Sequence, residues 1–246
     1  MKNICLMVMC SVGLVAWSRG GAVVDYEVDG VAFEGYAVHA DEKDAPMVLL
    51  IHDWDGLTDY EIKRAKMLAD EDYSVFCADL YGKGVRPTEL ADKKKCMTML
   101  TSDRAKMRAY MNGALAAAKE QGFNTDRCVA MGYCFGGTAV LEWARSGVDL
   151  DGFATFHGGL ALPEGQNYSA TKGPVIVMHG TADSMISMDD FAALANDLEG
   201  AGVPHQMITY GGAPHGWTVF GSKSYRERQD EESWEHFTEF LDELFD

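Results

Sequence analysis

The chain is short of positive charge: 21 Lys and Arg stand against 38 Asp and Glu, a formal net charge of −17. A surface of that sign repels phosphate backbones and anionic headgroups, which argues against nucleic acid and a membrane surface as partners. The cysteine spacing of a metal or disulfide framework is also missing. Of 6 cysteines, Cys5 and Cys10 lie in an apolar N-terminal segment. Cys77, Cys96, Cys128 and Cys134 form no C-x-x-C and no close Cys/His set, so no zinc site is indicated and at most one disulfide. Cys77 and Cys128 sit inside apolar runs and read as buried thiols. With only 6 prolines in 246 residues, no low-complexity tract, no repeat and no linker, the chain is neither disordered nor collagen-like and reads as one domain.

Long hydrophobic runs are absent except at the N-terminus, where Lys2 precedes an uncharged stretch from Ile4 to Trp17 and then Ser18-Arg19-Gly20-Gly21-Ala22. About 14 apolar residues fall short of the ~20 that span a bilayer, and with one leading cation and a small-residue exit they describe a secretory signal peptide. The expectation is a leader over residues 1–22, export to a periplasmic or extracellular space, and a mature domain over residues 23–246.

The rest of the chain alternates short apolar runs with helical patterns. Asp29-Gly30 between two β-rich runs signals a hairpin. After it, strands such as Met47 to His52, Ser74 to Ala78, Cys128 to Gly132, Gly152 to Phe156, Val175 to His179 and His205 to Tyr210 are separated by helices. Continuous apolar strands between helices belong to a parallel sheet covered on both faces, so the class is α/β. Ligands bind such sheets at the carboxyl ends of the strands.

One of those ends carries a strong local signal. Val129-Ala130-Met131 runs into Gly132-Tyr133-Cys134-Phe135-Gly136-Gly137 and then a helix, the strand, turn and helix of a nucleophile elbow with Cys where Ser is usual. The flanking glycines let strand and helix approach, and a helix N-terminus favours thiolate over thiol. A base and an orienting acid belong after later strands. Asp183 follows the Val175 strand and His215 the His205 strand, so the order Cys134, Asp183, His215 is that of an α/β-hydrolase triad. Asp189 and Asp190 read as first-turn helix acids. His39 and His236 read as surface residues, while His52, His157 and His179 end strands close to the expected site.

The segments His52-Asp53-Trp54-Asp55-Gly56-Leu57, Ala78-Asp79-Leu80-Tyr81-Gly82, Gly132 to Gly137, His179-Gly180-Thr181-Ala182-Asp183 and Pro214-His215-Gly216 resemble the dienelactone hydrolase family over essentially the whole mature chain. The resemblance implies an α/β-hydrolase fold with about eight strands, no cofactor and no metal. It makes Cys134 the nucleophile, His215 the base and Asp183 its orienter, with the backbone N–H groups of Phe135 and Trp54 as oxyanion hole.

Two positions depart from the family. Asp53 stands where Glu is common near the resting thiol, and Val219 stands where an Arg binds the substrate carboxylate, leaving Lys83 or Arg86 as replacement cations. Lys93-Lys94-Lys95 reads as a solvated helix face. Trp54, Tyr81, Tyr133, Phe135 and Trp217 flank the motifs and are expected to give an aromatic pocket for small aryl esters or lactones. Cleavage through a thioester acyl-enzyme is the expected activity. The alternatives are a metal-independent phosphotriesterase with the same triad, a thiol redox sensor, and a non-catalytic binding relative.

Overall fold

The computed structural model describes residues 20–245, so the apolar segment from Ile4 to Trp17 lies outside the described residues. The chain begins with a hairpin, β1 (Ala22–Val28) and β2 (Val31–Val38), paired antiparallel from Ala22↔Ala37 to Val28↔Val31. Its two-residue turn, Asp29 with φ 50° and Gly30 with φ 76°, has both central residues left-handed. That conformation matches the twist of the strands and explains the Asp-Gly pair.

Alternating strands and helices follow: β3 (Pro46–Ile51), α1 (Asp59–Asp70), β4 (Ser74–Ala78), α2 (Leu90–Ser102), α3 (Arg104–Glu120) and β5 (Asn124–Tyr133). The chain continues as α4 (Phe135–Arg145), β6 (Gly152–Phe156), β7 (Val175–Gly180), α5 (Met188–Ala201), β8 (His205–Tyr210) and α6 (Glu227–Phe245). The sheet has 8 strands in the order β1-β2-β4-β3-β5-β6-β7-β8. The hairpin runs antiparallel to β4, and the pairings from β4 through β8 are parallel. The class and strand number agree with the sequence reading.

Period-2 alternation splits the apolar strand residues between two cores. Met47, Leu49, Ile51 and Ala130 pack with α3, α4 and α5 on one face. Val48, Leu50, Val129 and Met131 pack with Ala65 and Leu68 of α1 and Phe237 and Leu241 of α6 on the other. Both sides of the central strands are therefore dry, and polar side chains gather at the strand ends. Cys77 and Cys128 are buried, and all four cysteines of the described residues are free thiols. Among the described residues no helix is long and apolar enough to cross a membrane.

Candidate active site

At the carboxyl end of central strand β5 the chain reverses into α4 through Cys134, whose φ of 51° and ψ of −111° lie in a region L-residues rarely occupy. Its amide is bonded to the Phe156 carbonyl at 3.0 Å, which fixes the turn to β6. The glycines on either side are steric necessities. A Cβ on Gly132 would lie 2.2 Å from the Gly136 backbone, and one on Gly136 would lie 2.2 Å from the Ile51 carbonyl oxygen. Helix α4 starts at Phe135, earlier than the start after Gly137 expected from the sequence. Cys134 thus sits directly at its positive end.

The loops after β7 and β8 bring the two partners. His215 Nε2 lies 3.1 Å from Cys134 Sγ and its Nδ1 lies 2.8 Å from Asp183 Oδ2. Burial opposes a charge on His215, yet the hydrogen bonds to Asp183 and Cys134 and the charges of both push its pKa up to about 10. Burial works against ionised Asp183 too. Bonds from His215 and from the Ile186 and Met185 amides outweigh it and hold the carboxyl below its usual range. One Asp183 oxygen serves those two amides, at 3.0 and 2.8 Å, and the other serves His215. The arrangement can hold a thiolate–imidazolium pair oriented by a carboxylate.

The loop after β3 faces the thiol from the other side. His52 accepts the Leu80 amide at Nε2 (3.0 Å), so its proton is on Nδ1, which donates to the Asp53 carbonyl at 2.6 Å. Rather than lining the cleft, this fully buried histidine braces the loop that carries the Trp54 amide. Asp53 reaches the cleft wall; its carboxylate accepts the Asp55 amide at 2.8 Å. Burial raises the Asp53 pKa to about 6, against that backbone bond. Behind it, fully buried Glu61 accepts from the Asp53 amide at 3.3 Å and from the Thr58 amide and hydroxyl at 2.8 Å. The sequence signal at Glu61 is its place three residues after Thr58, the spacing of the helix-capping box it forms.

Residues 33–245 match the Dienelactone hydrolase family. The chain belongs to that family. Among solved structures, a dienelactone hydrolase-like promiscuous phosphotriesterase from metagenomic libraries is 27% identical, with a TM-score of 0.85 over 92% of this chain and 98% of that one. A protein called m3DLH is 31% identical with the same TM-score and the same coverage, 92% and 98%. An esterase from the Planctomycetes species Thermogutta terrifontis, 20% identical with a TM-score of 0.67 over 92% of this chain and 93% of that one, shares the fold. No curated protein matches the sequence significantly. As a member of this family the chain is an α/β-hydrolase-type enzyme.

The cleft of this family member has a volume of about 450 Å³ and is walled by Asp53, Trp54 and Asp55 on one side and by Ser184, Met185, Pro214, Val219, Ser222 and Ser224 on the other. Cys134, His157 and His215 line it as well. The aromatic pocket expected from the sequence is not there: of the five candidates Trp54 alone lines the cleft. Tyr133 is fully buried with Val129 and Met131 on the α1/α6 side of the sheet, and Trp217 is buried on that side too. Tyr81 packs edge-on against His52 at 4.6 Å and tilts onto Phe135 at 5.4 Å, in the opposite core. Phe135 is 2% exposed and contributes its backbone position.

The cations are rearranged as well. Lys83 pairs with Asp25 on the surface, and Arg86 with Glu34 and Asp79, so neither reaches the cleft. Lys93 is no mere solvated face: its ammonium lies 2.6 Å from Asp55 and 5.5 Å above the Trp54 ring, clamping the loop after β3 from α2. His39 and His236 are half-buried rather than surface residues, against the Phe123 ring and the Tyr210 hydroxyl respectively. His179 packs on Phe191 at 5.5 Å. Asp189 and Asp190 are first-turn acids of α5 as expected, and Asp190 also closes a capping box with Ser187. Among the described residues no cluster of His, Cys, Asp and Glu could hold a metal ion.

Proposed function

We propose that the chain hydrolyses small carboxylic esters or lactones through an acyl-enzyme on Cys134. One observation carries this reading: the unbroken line from Cys134 Sγ to His215 Nε2 at 3.1 Å and from His215 Nδ1 to Asp183 at 2.8 Å. The thiolate attacks the carbonyl carbon, and the oxyanion that forms is held by the Phe135 and Trp54 amides, donors of a kind worth about 3 kcal/mol each. Collapse breaks the C–O bond to the leaving alcohol, which takes its proton from His215 and leaves a thioester. Water, giving its proton to His215, then attacks the thioester and releases the acid and the thiolate.

Val219 on the cleft wall and the neighbouring Asp53 and Asp55 offer a carboxylate no partner, so neutral esters are the preferred substrates. The test is a panel of aryl esters, lactones and a dienelactone carboxylate, run on the parent and on Cys134→Ala. Folded Cys134→Ala should lose about 10³ or more in kcat. Parent-like turnover in that variant, or preference for the anionic lactone, sinks the respective half of the reading.

A second activity is favoured by the 27% identical relative described as a promiscuous phosphotriesterase. Attack of Cys134 on a neutral aryl phosphotriester expels the aryloxide and forms a phosphorothiolate. Its P–S bond gives up a thiolate, a better leaving group than an alkoxide, so water can complete the turnover. Chelator-insensitive hydrolysis, with slow trapping in Cys134→Ser, is the expected result; stoichiometric inactivation of the parent is the opposing one.

Export is proposed on the strength of Lys2, the Ile4 to Trp17 stretch and the small residues Gly20 and Ala22. N-terminal sequencing of protein from its native host should begin near Val23. A start at Met1 or Lys2 counts against a cleaved leader.

A further inference from the structure

The loop that presents His215 to the cleft is held from behind by a buried polar network that the proposed chemistry does not use. Thr218, three residues beyond His215, is fully buried. Its hydroxyl lies 2.7 Å from the Tyr60 hydroxyl and 2.8 Å from His157 Nε2. Its carbonyl accepts a bond from Arg64 Nη2 at 2.8 Å. Arg64, 1% exposed, is in turn ion-paired to Asp230 of α6. One threonine therefore ties the histidine loop to α1, to α6 through Arg64, and to the end of β6.

His157 is the member of this network that reaches the site. It is 1% exposed and, with φ 41°, holds a left-handed backbone that a histidine adopts only under constraint. Its ring meets the His215 ring at 5.2 Å and the Trp217 ring at 5.0 Å, both edge-to-face. Burial first, and the charge of His215 second, hold it well below the usual histidine range, so it is a neutral wall that adds no positive charge beside the imidazolium.

We propose that Thr218 and His157 are positioning residues for His215: the Thr218 hydroxyl fixes the His157 ring, and that ring holds the His215 imidazole in line between Asp183 and Cys134. His215 has its two nitrogens tethered at either end, but those bonds leave it free to tilt about the line that joins them. The His157 ring blocks the tilt. Without the Thr218 hydroxyl, His157 Nε2 loses its partner in a dry site, and the ring escapes that loss by turning away. A reacting geometry disturbed by about 1 Å costs up to 10²-fold in rate.

This rests on the triad proposed above, and the test separates the two. The measurements are kcat and KM on a neutral aryl ester and the pH profile of Cys134 alkylation by iodoacetamide, in the parent, Thr218→Val, Thr218→Ser and Tyr60→Phe. The ionisable groups facing His215 are Asp183, Cys134, His157, His179 and Asp53, and none of them is altered. Thr218→Val should lower kcat about tenfold with KM within twofold, and should move the acid limb of the alkylation profile to higher pH, because a tilted imidazolium supports the thiolate less well. Thr218→Ser should restore both. Tyr60→Phe removes the hydroxyl's other partner and should keep the parental profile.

If Thr218→Val fails to accumulate, Thr218→Ala gives the same readout. A lowered melting temperature with parental kcat and alkylation profile in the Val or Ala variant overturns the proposal. So does a Ser variant that is not rescued, or a Tyr60→Phe profile displaced as far as that of Thr218→Val. A parent in which Cys134 alkylates no faster than Cys77 sinks the triad reading instead, and this proposal falls with it.

Discussion

The two sides of the cleft hold their reactive groups by opposite means. The elbow fixes Cys134 with backbone: a left-handed φ, an amide bonded to the Phe156 carbonyl, and glycines with no room for a Cβ between α4, β5 and β3. Nothing in that list titrates. The flanks fix their groups with buried polar side chains: His52 and Glu61 under the loop after β3, Thr218, Arg64 and Asp230 under the histidine loop. The difference follows from position in the sheet. A central strand end is surrounded by other backbone, so close approach suffices, whereas the loops share fewer backbone bonds, the Ala182 amide on the Ala213 carbonyl among them, and lean on side chains that reach across the fold. The elbow should then fail all at once on the smallest added volume, and the flanks should fail by degrees and respond to pH.

The largest effect that this contrast predicts is at Gly136. Its added Cβ would meet the Ile51 carbonyl oxygen at 2.2 Å and the His52 carbonyl oxygen at 2.7 Å, backbone atoms that cannot swing aside. Gly136→Ala should cost about 3 kcal/mol or more, the upper range for overpacking, which lowers the melting temperature by roughly 6–12 °C for a domain of this size. Thermal unfolding followed by circular dichroism reads it. A parental melting temperature would break the claim that the elbow is held by contact alone.

On the flank the corresponding change is graded. Asp183→Asn keeps an acceptor for the Met185 and Ile186 amides but loses the charge that supports the imidazolium. Activity should fall about 10²-fold while the melting temperature stays within a few degrees. Steady-state kinetics beside a thermal melt decide it: a loss under threefold removes Asp183 from the triad.

The same contrast explains what the sequence made legible. The elbow could be read from Gly132 to Gly137, because its glycine spacing recurs within six residues even though some of the atoms that leave no room for a Cβ, on Ile51 and Thr155, lie elsewhere in the chain. The β1–β2 turn at Asp29-Gly30 and the parallel core were legible for the same reason, from short-range turn chemistry and apolar periodicity. The flanks were not. Thr218 meets Tyr60 and His157 across 158 and 61 residues, and Lys93 meets Asp55 and Trp54 from a separate helix, pairings that no periodicity encodes. The expected aromatic pocket fails because a place beside a motif in sequence is not a place beside the thiol in space. Strand alternation already argues otherwise for Tyr133: it shares parity with Val129 and Met131, which turns its ring to the α1/α6 core.

The smallest predicted effect tests the pH response of the flank. Fully buried Glu61 has its pKa pushed up to about 8, by burial first and by the charge of Asp53 second, against the bonds it accepts from Thr58. In the unfolded chain a glutamate titrates near pH 4.3. Between those values the native state holds a proton that the unfolded state has released, so ∂ΔG/∂pH is negative and this residue's contribution to stability falls as pH rises through the window. A depressed carboxylate such as Asp183 acts with the opposite sign at lower pH, which makes the difference between variants the quantity to follow. Glu61→Gln removes the ionisation while keeping one acceptor oxygen for Thr58 or Asp53. It should be less stable than the parent at pH 5, by about 1–2 kcal/mol for the acceptor it lacks; the parent then loses up to about 1.4 kcal/mol per pH unit inside the window, so the gap should close near pH 6 and reverse by pH 8, where the parent is charging a buried carboxyl beside Asp53. Denaturant midpoints at pH 5, 6.5 and 8 measure it. Parallel curves for parent and variant would mean that Glu61 is ionised throughout, and that this flank, like the elbow, is indifferent to pH.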